Sequence, residues 1–198
     1  MDTTRLIAAA LGAGVVLGPA QAGLIDTTTG ATPGAAPFTT IDLPGSGVYA
    51  IDLSGLTSSA EQGDAANAVI RLTTNPLARV IGVGWDVDLT AASPGVLSDA
   101  IIGVVDNAGD GVVVNPGDGV SFPGTFSFAS ATMVVPLGAL AFDTGGELYV
   151  ELSQLFPGAL TTYNQPSTLW IELEIVPAPG AAALLGIGGV LATRRRRS

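Results

Sequence analysis

Two acidic, glycine-rich segments near the middle of the chain carry side chains suited to binding a metal ion. The first runs from Asp106 to Gly111, and the second runs from Asn115 to Gly119. Carboxylate and amide oxygens are the ligands that calcium prefers, and glycines let a loop fold around an ion. Four residues are therefore candidate calcium ligands: Asp106, Asn107, Asp110 and Asp118.

The spacing of these segments differs from that of an EF-hand calcium loop. Ala108 stands where the third oxygen ligand belongs, and Gly117 stands at the twelfth position in place of a glutamate. Clusters of Asp, Asn and Gly are also typical of β-hairpin turns. Two interpretations therefore stay open, a cation site and a pair of turns, and calcium is the one cofactor that the sequence suggests.

The residue types missing from the chain exclude most kinds of catalytic site. The chain has no histidine, cysteine or lysine, so it cannot form a Ser-His-Asp or Cys-His site, a Schiff base or a typical zinc centre. Asp143-Thr144-Gly145 resembles the motif of aspartic peptidases, but those enzymes need two aspartates and the motif occurs once. We therefore expect no catalytic activity, and a carboxylate-based hydrolase is the third alternative.

Exposed aromatic side chains would indicate a sugar-binding surface. Trp85 and Trp170 lie in strand-like segments, where large aromatic side chains usually belong to the core. Tyr163 lies in the loop-like segment 161–166 and is the candidate ligand-binding residue. A calcium-assisted module that binds carbohydrate, such as exopolysaccharide, is therefore the main alternative function.

Short apolar segments alternate with turn-forming residues along the body of the chain, which predicts β-strands. Alternation in the last segment places Ile171, Leu173 and Ile175 in the core. The prediction is an all-β fold, a two-layer antiparallel β-sandwich of the jelly-roll type. Residues 23–44 form either a loose arm or one edge strand. The expected strands are 48–53, 67–72, 79–89, 100–105, 125–128, 132–135, 147–152 and 168–176.

The first 22 residues have the pattern of a secretory signal peptide. A short charged start precedes the apolar run from Leu6 to Leu17, and Ala20 and Ala22 stand before Gly23 as small residues do at a cleavage site. We expect this signal helix to direct export and signal peptidase to cleave before Gly23.

The other end of the chain combines a proline-rich turn, an apolar segment and a basic cluster. Val176, Pro177, Ala178, Pro179 and Gly180 cannot extend a strand. An apolar helix over 180–193 would reach about 21 Å, less than the roughly 30 Å of a bilayer core, so we expect transient membrane anchoring. This C-terminal segment would be attached to the edge of a sheet. Four arginines end the segment: Arg194, Arg195, Arg196 and Arg197.

Together the two ends resemble the PEP-CTERM proteins, which are exported bacterial proteins with a C-terminal sorting signal. The stretch Val176 to Gly180 matches the processing motif, with Ala178 in place of the usual glutamate, and Arg194 to Arg197 match the basic cluster. The resemblance implies that an exosortase, a membrane-embedded cysteine peptidase, reads residues 177–198. It also implies release of the protein, or attachment to the cell surface and the exopolysaccharide of the biofilm matrix.

Removal of both signals leaves residues 23–176, enough for one domain with a proper core. Sixteen acids and two arginines, Arg71 and Arg79, give this body a formal charge of −14. Because phosphate backbones bind through clustered cations, we expect no nucleic-acid partner. The sequence thus predicts an exported, acidic surface or matrix protein.

Overall fold

The computed structural model of the protein describes residues 39–131 and 133–177. Within these residues the protein is all-β, with two short 3₁₀ turns at Leu97–Asp99 and Gly138–Leu140. The strands are β1 (Thr39–Leu43), β2 (Gly47–Asp52), β3 (Thr57–Ser58), β4 (Ala68–Thr74), β5 (Ala78–Ala91), β6 (Ala100–Asp106), β7 (Gly111–Val114), β8 (Gly124–Ala129), β9 (Val135–Pro136), β10 (Phe142–Asp143), β11 (Glu147–Gln154) and β12 (Thr161–Ile175).

The strands form two sheets of a sandwich-like fold. The smaller sheet has the order β1-β4-β11-β6-β7, and the larger sheet is built around the order β10-β5-β12-β2. The short strand β3 pairs with β12, while β8 and β9 pair with β5. The long central pair of β5 and β12 therefore organises the larger sheet, as β11 organises the smaller one.

One strand pairing differs from the predicted antiparallel arrangement. β1 pairs with β4 in parallel, with Ile41 opposite Leu72. Parallel neighbours require a long crossover between them, and here the chain passes through β2 and β3 of the larger sheet before it returns as β4. Residues 23–44 were predicted to form either a loose arm or one edge strand. The structure has an edge strand in the last part of this range, at Thr39–Leu43.

The core lies between the two sheets and follows the alternation of the strands. Leu169, Ile171 and Leu173 are buried on β12, as expected for the inward face. Ile175, which was predicted to be in the core, is only partly buried because it is the last residue of its strand. Trp85 is buried at 5% exposure, so its predicted core position is confirmed.

The last strand begins earlier than the sequence suggests. The expected strand started at residue 168, whereas β12 begins at Thr161 and pairs there with β5 and β3. Proline has no backbone N–H to donate to a strand ladder. The register of β12 with β5 accordingly shifts between Asn164 and Thr168, on either side of Pro166. The bulge keeps both halves of the strand in one sheet.

The position of the C-terminal segment in the fold corrects one expectation. β12 lies between β5 and β2, so Val176 follows an interior strand and not an edge strand. No helix within residues 39–131 and 133–177 has the length and hydrophobicity needed to cross a membrane. The predicted signal peptide with its cleavage site, the motif from Ala178 onward, the apolar helix and the arginine cluster lie outside the described residues.

Candidate functional site

Two of the predicted calcium ligands lie at the hairpin that joins β6 and β7: Asp106 ends β6, and Asp110 belongs to the turn. The carboxylate of Asp106 accepts hydrogen bonds from the backbone N–H groups of Ala108, at 2.9 Å, and Asp110, at 2.8 Å. The backbone N–H of Asp106 donates to the carbonyl of Asp110. Burial raises the pKa of Asp106, and the backbone hydrogen bonds oppose that shift. This carboxylate therefore holds the turn together.

The other two predicted ligands, Asn107 and Asp118, have exposed side chains. Asp118 belongs to a second turn, in which its backbone N–H donates to the carbonyl of Asn115. In the part of the chain that the structure describes, no three acidic side chains come together at one point as a metal site. The turn interpretation accounts for the observed hydrogen bonds, and calcium binding stays a prediction.

The prediction that Tyr163 is exposed is wrong. Its side chain is completely buried, and its hydroxyl donates to the backbone carbonyl of Ile101 at 3.4 Å. Tyr163 lies on the inward face of β12, opposite Leu89 of β5. The polar residues around it are typical of a loop, but in this fold they form a strand, and strand alternation turns the ring into the core. Tyr163 cannot bind a ligand at the surface.

The aromatic side chain on the outer face of the larger sheet is Trp170. It is partly exposed and lies between Gly84 of β5 and Ala50 of β2. The expectation that Trp170 belongs to the core is therefore wrong. Trp170 has the same parity on the strand as Glu172, so two-residue alternation alone could have placed it outside.

A short segment before β9 packs on the sheet beside Trp170. A Cβ atom added to Gly84 would lie 1.6 Å from the carbonyl oxygen of Met133, and one added to Gly82 would lie 2.3 Å from a methyl carbon of Val134. Glycine is needed at both positions because the segment crosses so close to the backbone. Met133 and Val134 thus form a wall on one side of Trp170. On the other side lies Ala50, which is small and exposed and leaves the ring open to solvent.

Acidic and hydroxyl side chains continue the same face along β12. Thr168 lies opposite Asp86 on one side and Asp52 on the other, and both carboxylates are exposed. The N–H of Ser54 donates to Asp52, and hydrogen bonding to Ser54 lowers the pKa of Asp52. We call this surface the Trp170 face and define it by these residues: Ala50, Asp52, Asp86, Met133, Val134, Thr168, Trp170 and Glu172.

Hydrogen bonds between side chains hold the next stretch of the sheet beyond the Trp170 face. The amide nitrogen of Asn164 donates to Asp88 at 2.9 Å and to Thr90 at 2.8 Å. The hydroxyl of Ser127 donates to the second carboxylate oxygen of Asp88 at 3.1 Å. This network connects β5, β8 and β12 beside the Trp170 face.

The Asp143-Thr144-Gly145 motif forms a turn in the structure. Thr144 is buried, and its hydroxyl lies 2.6 Å from that of Thr74. The side chain of Asp143 is 85% exposed and lies 3.9 Å from Arg79. Gly145 has a φ of 61°, in the left-handed region that favours glycine. These contacts are those of a turn between β10 and β11.

A buried acid that the sequence did not single out lies on the outer face of the smaller sheet. Glu151 of β11 has no exposed surface, and its Oε1 accepts hydrogen bonds from Gly63 N–H and Asn67 Nδ2, both at 2.7 Å. Its Oε2 has no hydrogen-bond partner among the described residues. Burial raises the pKa of Glu151. This environment favours the protonated acid, which can neither bind a cation strongly nor act as a nucleophile at low pH.

Comparisons with known proteins identify no family. The chain matches no protein-family model, and no curated protein is similar to it. Among solved structures, it is similar to the crystal structure of the infectious bursal disease virus VP2 subviral particle, with 14% identity over 76% of this chain and a TM-score of 0.24. It is also similar to the structure of the infectious bursal disease virus Gx strain, with 15% identity over 69% and a TM-score of 0.27. The matches cover 49% and 42% of those chains, so the protein spans about half their length or less, and the TM-scores are too low to support any conclusion about function.

Proposed function

We propose that the protein is an exported component of the cell surface or extracellular matrix, sorted through its C-terminal signal and without catalytic activity of its own. The observation that carries this proposal is the set of sequence signals at the two ends of the chain and their order. A signal-peptide pattern stands at residues 1–22, and the proline motif, apolar segment and arginine cluster follow each other at residues 176–198. An exosortase-type membrane peptidase and signal peptidase are its processing partners.

The end of the last strand supports processing at the proline motif. β12 ends at Ile175, and the next residue, Val176, is 42% exposed. Pro177 is exposed as well. The N–H of Val176, the first residue of the motif, donates to the carbonyl of Leu77 at 3.0 Å. Cleavage beyond Pro177 would therefore leave the pairing of β12 intact.

The jelly-roll type of sandwich and the two terminal helices belong to the same proposal. Consecutive strands lie in different sheets at seven steps along the described part of the chain, including the runs from β3 to β6 and from β10 to β12. Such alternation is typical of a jelly roll. The strong negative charge of the body, with Arg71 and Arg79 as its two basic side chains, favours solubility outside the cell.

Intact mass spectrometry of the protein recovered from native cells and medium tests the sorting proposal. We expect a mature species that starts at Gly23 and ends between Val176 and Gly180. A variant in which Arg194 to Arg197 are changed to serine should keep its C-terminal segment. The matched control is Arg79→Ser, which removes a basic residue from the body and should be processed normally. An unprocessed C-terminus in the unmodified protein would contradict the proposal.

Carbohydrate binding is the second candidate function, and one observation favours it. Trp170 presents an aromatic ring on the outer face of a sheet, next to the exposed carboxylates of Asp52 and Asp86. Buried aromatics serve the core, whereas a partly exposed ring among polar groups is typical of a binding surface. Tyr163 has no part in this candidate site. Calcium and exopolysaccharide stay in the proposal as a cofactor and a partner.

A further inference from the structure

We propose that the Trp170 face binds a glycan that carries free amino groups, that is, a polymer of amino sugars with protonated amines. This inference rests on the carbohydrate-binding candidate function above and assigns it a site and a ligand class. The site uses Trp170 for ring contact and the carboxylates around it for charge. It replaces Tyr163, which is completely buried, as the place of recognition.

The charge of the face determines which glycans fit. Asp52, Asp86 and Glu172 surround Trp170, and the residues that define the face include no arginine. Acidic polysaccharides would be repelled by these carboxylates, whereas a polymer with ammonium groups would be attracted. The formal charge of −14 on residues 23–176 also favours a positively charged ligand.

The aromatic ring favours a cation as well. A positively charged group over an aromatic face is attracted by the ring quadrupole, and tryptophan is the best of the aromatic residues in this role. Trp170 is partly exposed, with the Met133–Val134 wall on one side and the exposed, small Ala50 on the other. A ligand can therefore reach the ring from the side of β2.

The length and polarity of the surface fit a chain of sugars better than a single ion. At about 3.3 Å per residue, the distance along β12 from Glu172 to Thr168 is roughly 13 Å. Hydroxyl and amide groups continue in the same direction at Thr90, Ser127 and Asn164. A polyhydroxylated ligand can exchange hydrogen bonds with such groups along its length.

The test is titration of the full chain with a glucosamine hexamer, followed by tryptophan fluorescence. The chain has two tryptophans, and Trp85 is buried in the core, so a change on binding reports Trp170. We expect a spectral change that saturates and that weakens with added salt. The N-acetylated hexamer, which has the same length and no charge, should bind at least about tenfold more weakly, a difference of about 1.4 kcal/mol.

Four variants distinguish binding at the Trp170 face from general attraction to an acidic protein. Trp170→Ala should reduce affinity for the glucosamine hexamer at least about tenfold, measured by calorimetry, and Trp170→Phe should keep part of it. Asp86→Asn should weaken binding several-fold. Glu61→Gln removes the same charge from an exposed position in the loop between β3 and β4 and should leave the affinity unchanged. If Trp170→Ala fails to fold, Trp170→Phe and Asp86→Asn still test the site.

Several results would overturn the inference. The first is an unchanged affinity in Trp170→Ala and Asp86→Asn. The second is an equal effect of Asp86→Asn and Glu61→Gln, and the third is no binding of the glucosamine hexamer. Equal or tighter binding of hexalysine would identify the face as a surface for basic peptides. Equal binding of the N-acetylated hexamer would leave carbohydrate binding standing and reject the amino-sugar class. None of these results affects the sorting proposal, which mass spectrometry tests separately.

Discussion

Glu147 and Glu151 project from the same face of β11, yet their pKa values are shifted in opposite directions. Glu147 accepts hydrogen bonds from Arg71 and from the hydroxyl of Tyr149, and these bonds lower its pKa. Glu151 is buried, and burial raises its pKa more than the hydrogen bonds from Asn67 and Gly63 lower it. One strand therefore carries one acid that favours its charged form and one that favours its neutral form.

Glu151→Gln should stabilise the protein at neutral pH. The native pKa of Glu151 is raised above the ordinary value of 4.5, so its stabilising contribution is complete below that value and is lost as the pH rises through the native pKa. Glutamine keeps the shape without a charge. We expect a gain of about 1 kcal/mol in the free energy of unfolding at neutral pH and a smaller difference at about pH 4, measured by urea denaturation.

The control for this prediction is Glu174→Gln, which removes a charge from an exposed side chain. Surface substitutions of this kind usually change stability by less than about 0.5 kcal/mol. Destabilisation by Glu151→Gln at neutral pH would mean that the buried carboxylate is ionised and well satisfied in the native protein.

Glu147→Gln should show the opposite dependence on pH. A lowered native pKa contributes stability above the ordinary acid value, and this contribution is lost as the pH falls through the native pKa. Because the side chains of Arg71 and Glu147 are partly exposed, at 40% and 30%, we expect a loss of less than about 1 kcal/mol at neutral pH. A double-mutant cycle with Arg71→Ala measures the coupling. A coupling energy that is unchanged at acidic pH would contradict this prediction.

Gly84→Ala should destabilise the larger sheet at the wall of the Trp170 face. The added methyl group would overlap the carbonyl oxygen of Met133, at 1.6 Å, so the crossing segment must move. We expect a loss of about 1 to 3 kcal/mol in the free energy of unfolding, the usual range for overpacking. Gly45→Ala is the matched control, because the nearest atom to its Cβ would be the Tyr49 hydroxyl at 3.8 Å. Equal effects of the two substitutions would show that the crossing segment does not pack on Gly84.

Tyr163→Phe should change stability much less than Tyr163→Ala. The hydroxyl makes one long hydrogen bond, at 3.4 Å to Ile101, while the ring is completely buried. We expect a loss of at most about 1 kcal/mol for phenylalanine and about 3 to 5 kcal/mol for alanine. Thermal denaturation of the two variants checks this. Small effects of both substitutions would indicate an exposed ring, as the sequence had suggested.

Titration followed by ultraviolet absorbance gives a second test of the position of Tyr163. Burial raises the pKa of its phenol above the ordinary value of 10. In the native protein this phenol should stay protonated at a pH where an exposed tyrosine ionises, and it should ionise when the protein unfolds. Ionisation of all three tyrosines together in the native state would contradict the burial.

Local patterns were sufficient to predict the all-β class and most of the strands. The alternation of Ile171 and Leu173 with glutamates depends on neighbours two residues apart, so it is visible in the chain itself. The absence of histidine, cysteine and lysine likewise limits the chemistry whatever the fold. The predicted signals at the two ends also follow from local order, and mass spectrometry is needed to test them.

The tertiary structure decided the properties that depend on residues far apart in the chain. Glu151 is buried under a loop that includes Gly63, 88 positions away, and Asn67, 84 positions away. Tyr163 lies in the core because the polar segment around it pairs with β3 and β5 and so becomes part of a strand. Trp170 becomes part of a surface site only when Asp52, Asp86 and Met133 come beside it. Composition and alternation thus determined the class of fold, whereas burial and the grouping of side chains were set by long-range pairing, which short patterns in a sequence do not encode.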